Sequence, residues 1–206
     1  MQQFFAYLTG LAGLGAFWII LLIATGKHPW ALVIGEDGRP STSKFQMMVW
    51  TAAVVFAFLA IYQIRFSAGY GDGLPGLPNN LLIAMGISVV TAVSAKSIAI
   101  SSQAKSTATI AAAAAAGLPA APASLPSQSG LFADDTGAPD LGKVQVILWT
   151  VIAVGVFLAE VFAIIHWPDN PPGSIAHQGL PDIGPTLMIL MGLGNGAYIG
   201  KKIAES

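Results

Sequence analysis

Apolar residues dominate five stretches so completely that neither a helical stripe nor a strand-like alternation stands out within them: 4–25, 45–64, 80–100, 144–165 and 183–200. A bilayer core is crossed by roughly 20 apolar residues in helical form. Helix is the form that satisfies every backbone polar group inside lipid, and the Gly- and Ala-rich runs lack the period-2 pattern of a membrane barrel. The pattern therefore predicts an all-α integral membrane protein with five transmembrane helices. The third and fifth are shortened by Lys96 and Lys201, whose aliphatic stems stay in lipid while the ammonium groups reach the headgroups.

Composition narrows the class. The chain of 206 residues is 54% hydrophobic and 9% charged, with no cysteine, against about 25% charged residues in ordinary soluble domains. That excludes a soluble enzyme, a basic nucleic-acid binder and a disulfide-stapled module. With five spans, Lys27, Arg39, Lys44, Lys96, Lys105, Lys143, Lys201 and Lys202 fall on one side and Arg65 alone on the other. The positive-inside rule then places the N-terminus outside and the C-terminus in the cytoplasm. Residues 1–6 carry no basic n-region, so the first span reads as a retained anchor. A bacterial plasma membrane is the expected location.

An offset of 99 residues lays 32–60 over 131–159 without a gap, with 11 of 29 positions identical. The identities include Gly38/Gly137, Pro40/Pro139, Lys44/Lys143, Gln46/Gln145, Trp50/Trp149, Thr51/Thr150 and Phe58/Phe157. Apolar composition alone aligns Val, Leu and Ala, but not Gly, Pro, Lys, Gln and Trp in register. Further on, Leu77-Pro78 answers Leu180-Pro181, and Met85-Gly86 answers Met191-Gly192. The reading is a duplicated hairpin: an anchor over 1–30, a first unit over 31–103, an Ala/Ser/Pro-rich linker over 104–130 and a second unit over 131–206. Each unit starts with a turn, a proline and an N-cap candidate, Ser41 or Ser43 in one and Asp140 in the other. Two spans per unit make both enter the membrane in the same direction, which predicts a pseudo-two-fold axis along the membrane normal.

The motifs sort by what each residue type does in lipid. Lys44, Lys143, Lys96 and Lys202 form a basic cytoplasmic ring for anionic headgroups or a partner's acidic segment. Gln46 and Trp50, with Gln145 and Trp149, are read as interface anchors of the repeat. Gly192, Gly196 and Gly200 form a doubled G-x-x-x-G packing seam, and Asn195 among them needs an interhelical partner. Glu160 is the clear ionisable residue within a span, and the offset of 99 puts its equivalent, Ile61, one turn before Arg65. The two are read as a structural ion pair. Gly69–Asp72 resembles the end of a potassium-channel filter, but without the preceding pore helix it is read as a glycine-rich turn. His166, Asp169, His177 and Asp182 lie at irregular spacing among prolines and are read as a surface turn, with no metal. No nucleophile elbow, phosphate loop or zincin helix occurs, and no cofactor is expected. The functional expectation is a non-catalytic scaffold or anchoring subunit in contact with lipid, with another copy or a membrane-complex subunit as partner. The alternative is a channel or carrier for a small ion or solute.

Overall fold

The computed structural model describes residues 1–35, 38–69, 74–115, 130–133, 138–166 and 179–204. Among these the chain is helical, without strands: α1 spans Gln2–Thr25, α2 Thr42–Ser67, α3 Asn79–Ala115, α4 Leu141–His166 and α5 Pro185–Ala204, with a 3-10 turn at Pro29–Leu32. Helices α1, α2 and α4 are long and apolar enough to cross a membrane. Helix α5 carries Asn195, Lys201 and Lys202 within its 20 residues. Helix α3 has 37 residues, about 55 Å at 1.5 Å per residue, and runs through the alanine-rich stretch that propensity favours as helix. The linker segment 116–129 and the turn at 70–73 lie outside the described residues.

Helices α2 and α4 open in the same way, position for position. Both have 26 residues, with bounds 99 apart. An isolated bridge joins Ile34 to Pro40 ahead of α2, and another joins Ala133 to Pro139 ahead of α4. The Ser41 amide donates to the Val33 carbonyl at 2.7 Å, and the Asp140 amide to the Phe132 carbonyl at 2.8 Å. Ser41 is the N-cap of α2 and Asp140 caps α4, each accepting from the amide three residues on, Lys44 and Lys143. Gly38 supplies the left-handed backbone (φ 75°) that the first of these turns requires.

Packing treats the two helices differently. Helix α2 is the hub: α1, α3 and α4 all pack on it, while α4 packs chiefly on α2 and α5, and α3 meets α5. Helix α2 buries Thr42, Ser43, Gln46, Trp50, Ala53, Phe56, Ala57, Ala60, Ile61 and Ile64. None of their counterparts at an offset of 99 is buried in α4. Conversely, α4 buries Val146, Ile147, Thr150, Ala153, Val154, Phe157, Val161 and Ile165, and none of the equivalent α2 positions is buried.

A two-fold axis gives matched positions the same surroundings, because an isologous contact uses the same patch on both sides. Across the α2–α4 contact, therefore, the expected pseudo-two-fold axis is not found. Helix α4 sets its own front against the back of α2, so the two are stacked face to back. The described ring contacts also show a stagger. Trp50 meets Phe157 at 5.9 Å between centroids, and Phe56 meets Phe162 at 5.9 Å. Both pairings ascend together, so the helices run in the same sense. Each reaches seven or eight positions beyond the offset of 99, an axial displacement of about 11 Å.

Helix α1 joins this stack through two glycines. A Cβ on Gly10 would stand 2.8 Å from the Phe56 ring and 3.1 Å from the Phe56 carbonyl, and one on Gly13 would collide with Leu59. At its start, Tyr7 reaches α4, with its hydroxyl 2.7 Å from Nδ1 of His166. The segments preceding α3 and α5 meet as well. The Leu180 amide donates to the Gly76 carbonyl at 2.9 Å, and Asn80 Nδ2 donates to Asp182 at 2.8 Å. Gly179 is needed there, since a Cβ on it would lie 2.6 Å from the Gly76 oxygen.

Candidate functional site

The Lys-x-Gln-x-x-x-Trp motifs open α2 and α4, just after the capped turns. Lys44 and Lys143 turn back on their own chain. Nζ of Lys44 donates to the Ile34 carbonyl at 2.8 Å, and Nζ of Lys143 donates to the Ala133 carbonyl, in each case ten residues upstream. Each lysine thus ties its turn to its helix while its charge stays at the helix end. The spacing from Gly-x-Pro to Lys, the same in both stretches, was the sequence signal for this role. Side chains of Lys96 and Lys202 lie outside the described residues.

Gln46 and Trp50 are both 1% exposed, whereas Gln145 is exposed and Trp149 half-buried. Trp50 is therefore a core residue against Phe157 and not a member of an aromatic belt. Ser43, Gln46 and Trp50 lie three and four residues apart and share one face of α2. The Ser43 hydroxyl, both Gln46 amide atoms and the Trp50 indole nitrogen are buried without a hydrogen bond in the structure. A buried polar atom left unpaired costs about 1–3 kcal/mol, so this face gives up stability to hold those groups inside. Thr42 closes the same end, its hydroxyl donating to the Leu131 carbonyl at 3.3 Å.

At the equivalent end of α4, Asp140 is 4% exposed and receives the Gly142 amide at 2.8 Å and Nζ of Lys201 at 2.9 Å. Burial by itself raises a carboxyl's pKa. The Lys201 hydrogen bond and charge, with the Lys143 and Gly142 amides, outweigh it and hold Asp140 below its ordinary value. Lys201 thereby locks the end of α5 to the start of α4.

The helix-packing residues of α5 are not those the sequence suggested. A Cβ on Gly192, Gly196 or Gly200 meets nothing within 4 Å, while one on Gly194 meets the Trp149 ring at 3.5 Å and the Val146 backbone at 3.7 Å. Met191, Asn195 and Tyr198 are buried on the same face. Asn195 does not bridge helices: its Nδ2 donates to the Met191 carbonyl one turn back at 2.8 Å, and its Oδ1 has no hydrogen bond.

Arg65 and Glu160 are not brought together. Glu160 is exposed, and no hydrogen bond or ion pair reaches it among the described residues. The stagger supplies the reason. Residues 50 and 56 of α2 are level with 157 and 162 of α4, so Arg65 stands about 17 Å farther along the helix axes than Glu160. Of the four metal-ligand candidates, His166 contacts Tyr7 and Asp182 contacts Asn80; positions 169 and 177 lie outside the described residues. No group of three His, Asp or Glu residues is placed to share a metal among the described residues.

An apolar groove of about 390 Å³ opens between α1, α2 and α4, lined by Leu14, Trp18, Met48, Phe56, Val154 and Phe162 among others. It offers no charge or hydrogen-bond array to an ion. Comparison with known protein families, curated proteins and solved structures gives no match.

Proposed function

We propose that this chain is a five-helix membrane protein, an N-terminal anchor followed by two copies of one helical hairpin, that acts as a non-catalytic scaffold or anchoring subunit. The observation that carries this is the seam between the hairpins. Trp50 meets Phe157 and Phe56 meets Phe162 across it, within one buried cluster that also holds Ala53, Ala57, Ala60 and Val161, small and aromatic residues that suit close helix packing in a membrane, where no hydrophobic drive acts between helices. Three polar side chains along α2, α4 and α5 bond within their own helix: Thr51 to the Met47 carbonyl, Thr150 to that of Val146 and Asn195 Nδ2 to that of Met191. Such pairing suits a packing element better than a lined path. The matched turns, with their lysine-to-carbonyl ties, are the observation that favours duplication, and the lysine-rich ends suit the cytoplasmic face. Headgroup contact there belongs to the same proposal.

Two measurements on one preparation test it. Native mass measurement from polymer-extracted membrane discs is expected to find the chain in assemblies larger than one copy. A lone chain without further subunits overturns the scaffold reading. Liposomes carrying the protein are expected to hold potassium and proton gradients as well as empty ones do. A leak abolished by Glu160→Gln overturns it in favour of a channel or carrier.

A further inference from the structure

The apolar groove of about 390 Å³ runs between α1, α2 and α4, the three helices long and apolar enough to cross a membrane. Its floor is α2 from Met48 to Phe56, one wall is α1 from Leu11 to Trp18, and the other is α4 from Val154 to Phe162. The contacts described between α1 and α4 gather at one end. There the Tyr7 ring lies 6.0 Å from that of Phe162, and its hydroxyl 2.7 Å from His166 Nδ1. Gln3 Nε2 adds a hydrogen bond to the His166 carbonyl at 3.5 Å. Away from this closure the walls stand on either side of α2, with Ala52 on the floor between them and only half-buried. The groove is thus shut toward the start of α1 and leads toward the start of α2.

We propose that this groove holds one acyl chain of a membrane phospholipid. Its dimensions select the occupant. The lining stretches of α2 and α4 each rise about 12 Å, so the volume corresponds to a mean cross-section of about 33 Å². A helix with its side chains is about 10–12 Å across, or about 80–110 Å² in section. A second copy or a partner's helix is therefore too thick to enter, whereas a single extended hydrocarbon chain fits. The lining agrees: apart from the Trp18 indole, no lining side chain carries a charge or a hydrogen-bonding N–H or O–H group. An apolar cavity of this kind stays dry and gives a headgroup nothing to bind. A chain lying on one helix makes contacts on one side, but a chain in the groove makes them on three. Each such contact is weak and their sum is large, which sets this lipid apart from its freely exchanging neighbours. The proposal does not depend on the scaffold reading, since one copy of the chain supplies the floor and both walls.

Ala52→Phe places a ring on the groove floor, and Leu158→Trp thickens the α4 wall. Ile20→Phe, on a face of α1 that is 63% exposed and outside the groove, is the control. Full-length protein is reconstituted into vesicles of phosphatidylethanolamine and phosphatidylglycerol, extracted, washed with a delipidating detergent and weighed by native mass measurement. Wild type and Ile20→Phe are expected to keep one phospholipid per chain, and both groove variants at least tenfold less. Washed wild type without lipid, or equal retention in a folded groove variant, would overturn the proposal. A second measurement needs no variant. Phosphatidylethanolamine with a diazirine midway along one acyl chain is included in the vesicles, and the protein is irradiated after washing. Crosslinks are expected at Leu11, Leu14 and Ala52, and not at the exposed Ile19 and Ile23; equal labelling of both sets would overturn the proposal. A lone chain carrying one lipid would support it while overturning the scaffold reading, and a lipid-free assembly would do the reverse.

Discussion

Trp50→Ala is expected to cost about 3 kcal/mol, and Trp149→Ala at its matched position about 1 kcal/mol or less. In a bilayer the transfer part of a large-to-small substitution shrinks, because lipid tails are as apolar as the protein interior. The cavity part remains, at about 24 cal/mol for each Å³ left unfilled. Trp50 is 1% exposed and stacked edge-on against Phe157, so truncation leaves a void on the order of 130 Å³ that lipid cannot enter. Losing the unbonded indole N–H returns part of that cost, since an unpaired buried donor is itself unfavourable. Trp149 is only half-buried, and an acyl chain can take its place. Denaturant unfolding in mixed micelles, followed by the remaining tryptophans, compares the two variants. Equal losses would mean that the two indoles occupy equivalent environments.

Gly10→Leu is expected to release α1 from the bundle at a cost of about 1–3 kcal/mol, the range for overpacking a tight contact. Part of the obstruction is the Phe56 carbonyl, 3.1 Å from the built Cβ, and backbone cannot rotate aside as a side chain can. Gly13→Ala meets the flexible end of Leu59 and is expected to be milder, while Gly15→Ala has open space and serves as the control. Apart from Ala6 and Gly10, α1 has no buried residue, so it stays in the apolar phase after release. Crosslinking between α1 and α2 in membranes reads the separation, and unchanged crosslinking in Gly10→Leu would contradict the close approach.

The glycines of α1 show where sequence reading reaches its limit. Long apolar runs announce helices, and every stretch expected to be helical contains one. Cap and turn chemistry was equally readable: Ser41 and Asp140 are short polar residues placed before an apolar run, and they cap as such residues do. Partner choice was not readable. In a helix apolar all round, periodicity does not say which face meets another helix, so the close contacts at Gly10, Gly13 and Gly194 could not be told from glycines in open space at 192, 196 and 200. The two-fold expectation failed for a related reason. Identity at an offset of 99 says that two stretches are alike, but not whether like faces meet. The stagger that parts Arg65 from Glu160 is a property of the packed pair and leaves no mark in either helix alone.

Face-to-back stacking is tested most directly by one intramolecular distance. Spin labels are placed at Phe58→Cys and Trp149→Cys in the same chain, diluted with unlabelled protein so that each labelled chain reports only on itself. Phe58 lies eight residues beyond Trp50 on α2, and Trp149 eight before Phe157 on α4; with Trp50 and Phe157 in contact, the labelled sites are separated by about 24 Å along the helix axes. The stacked arrangement predicts a separation of that size or more. A short distance, matching that between labels at 50 and 157, would mean that the hairpins are related by a two-fold axis and would contradict the account.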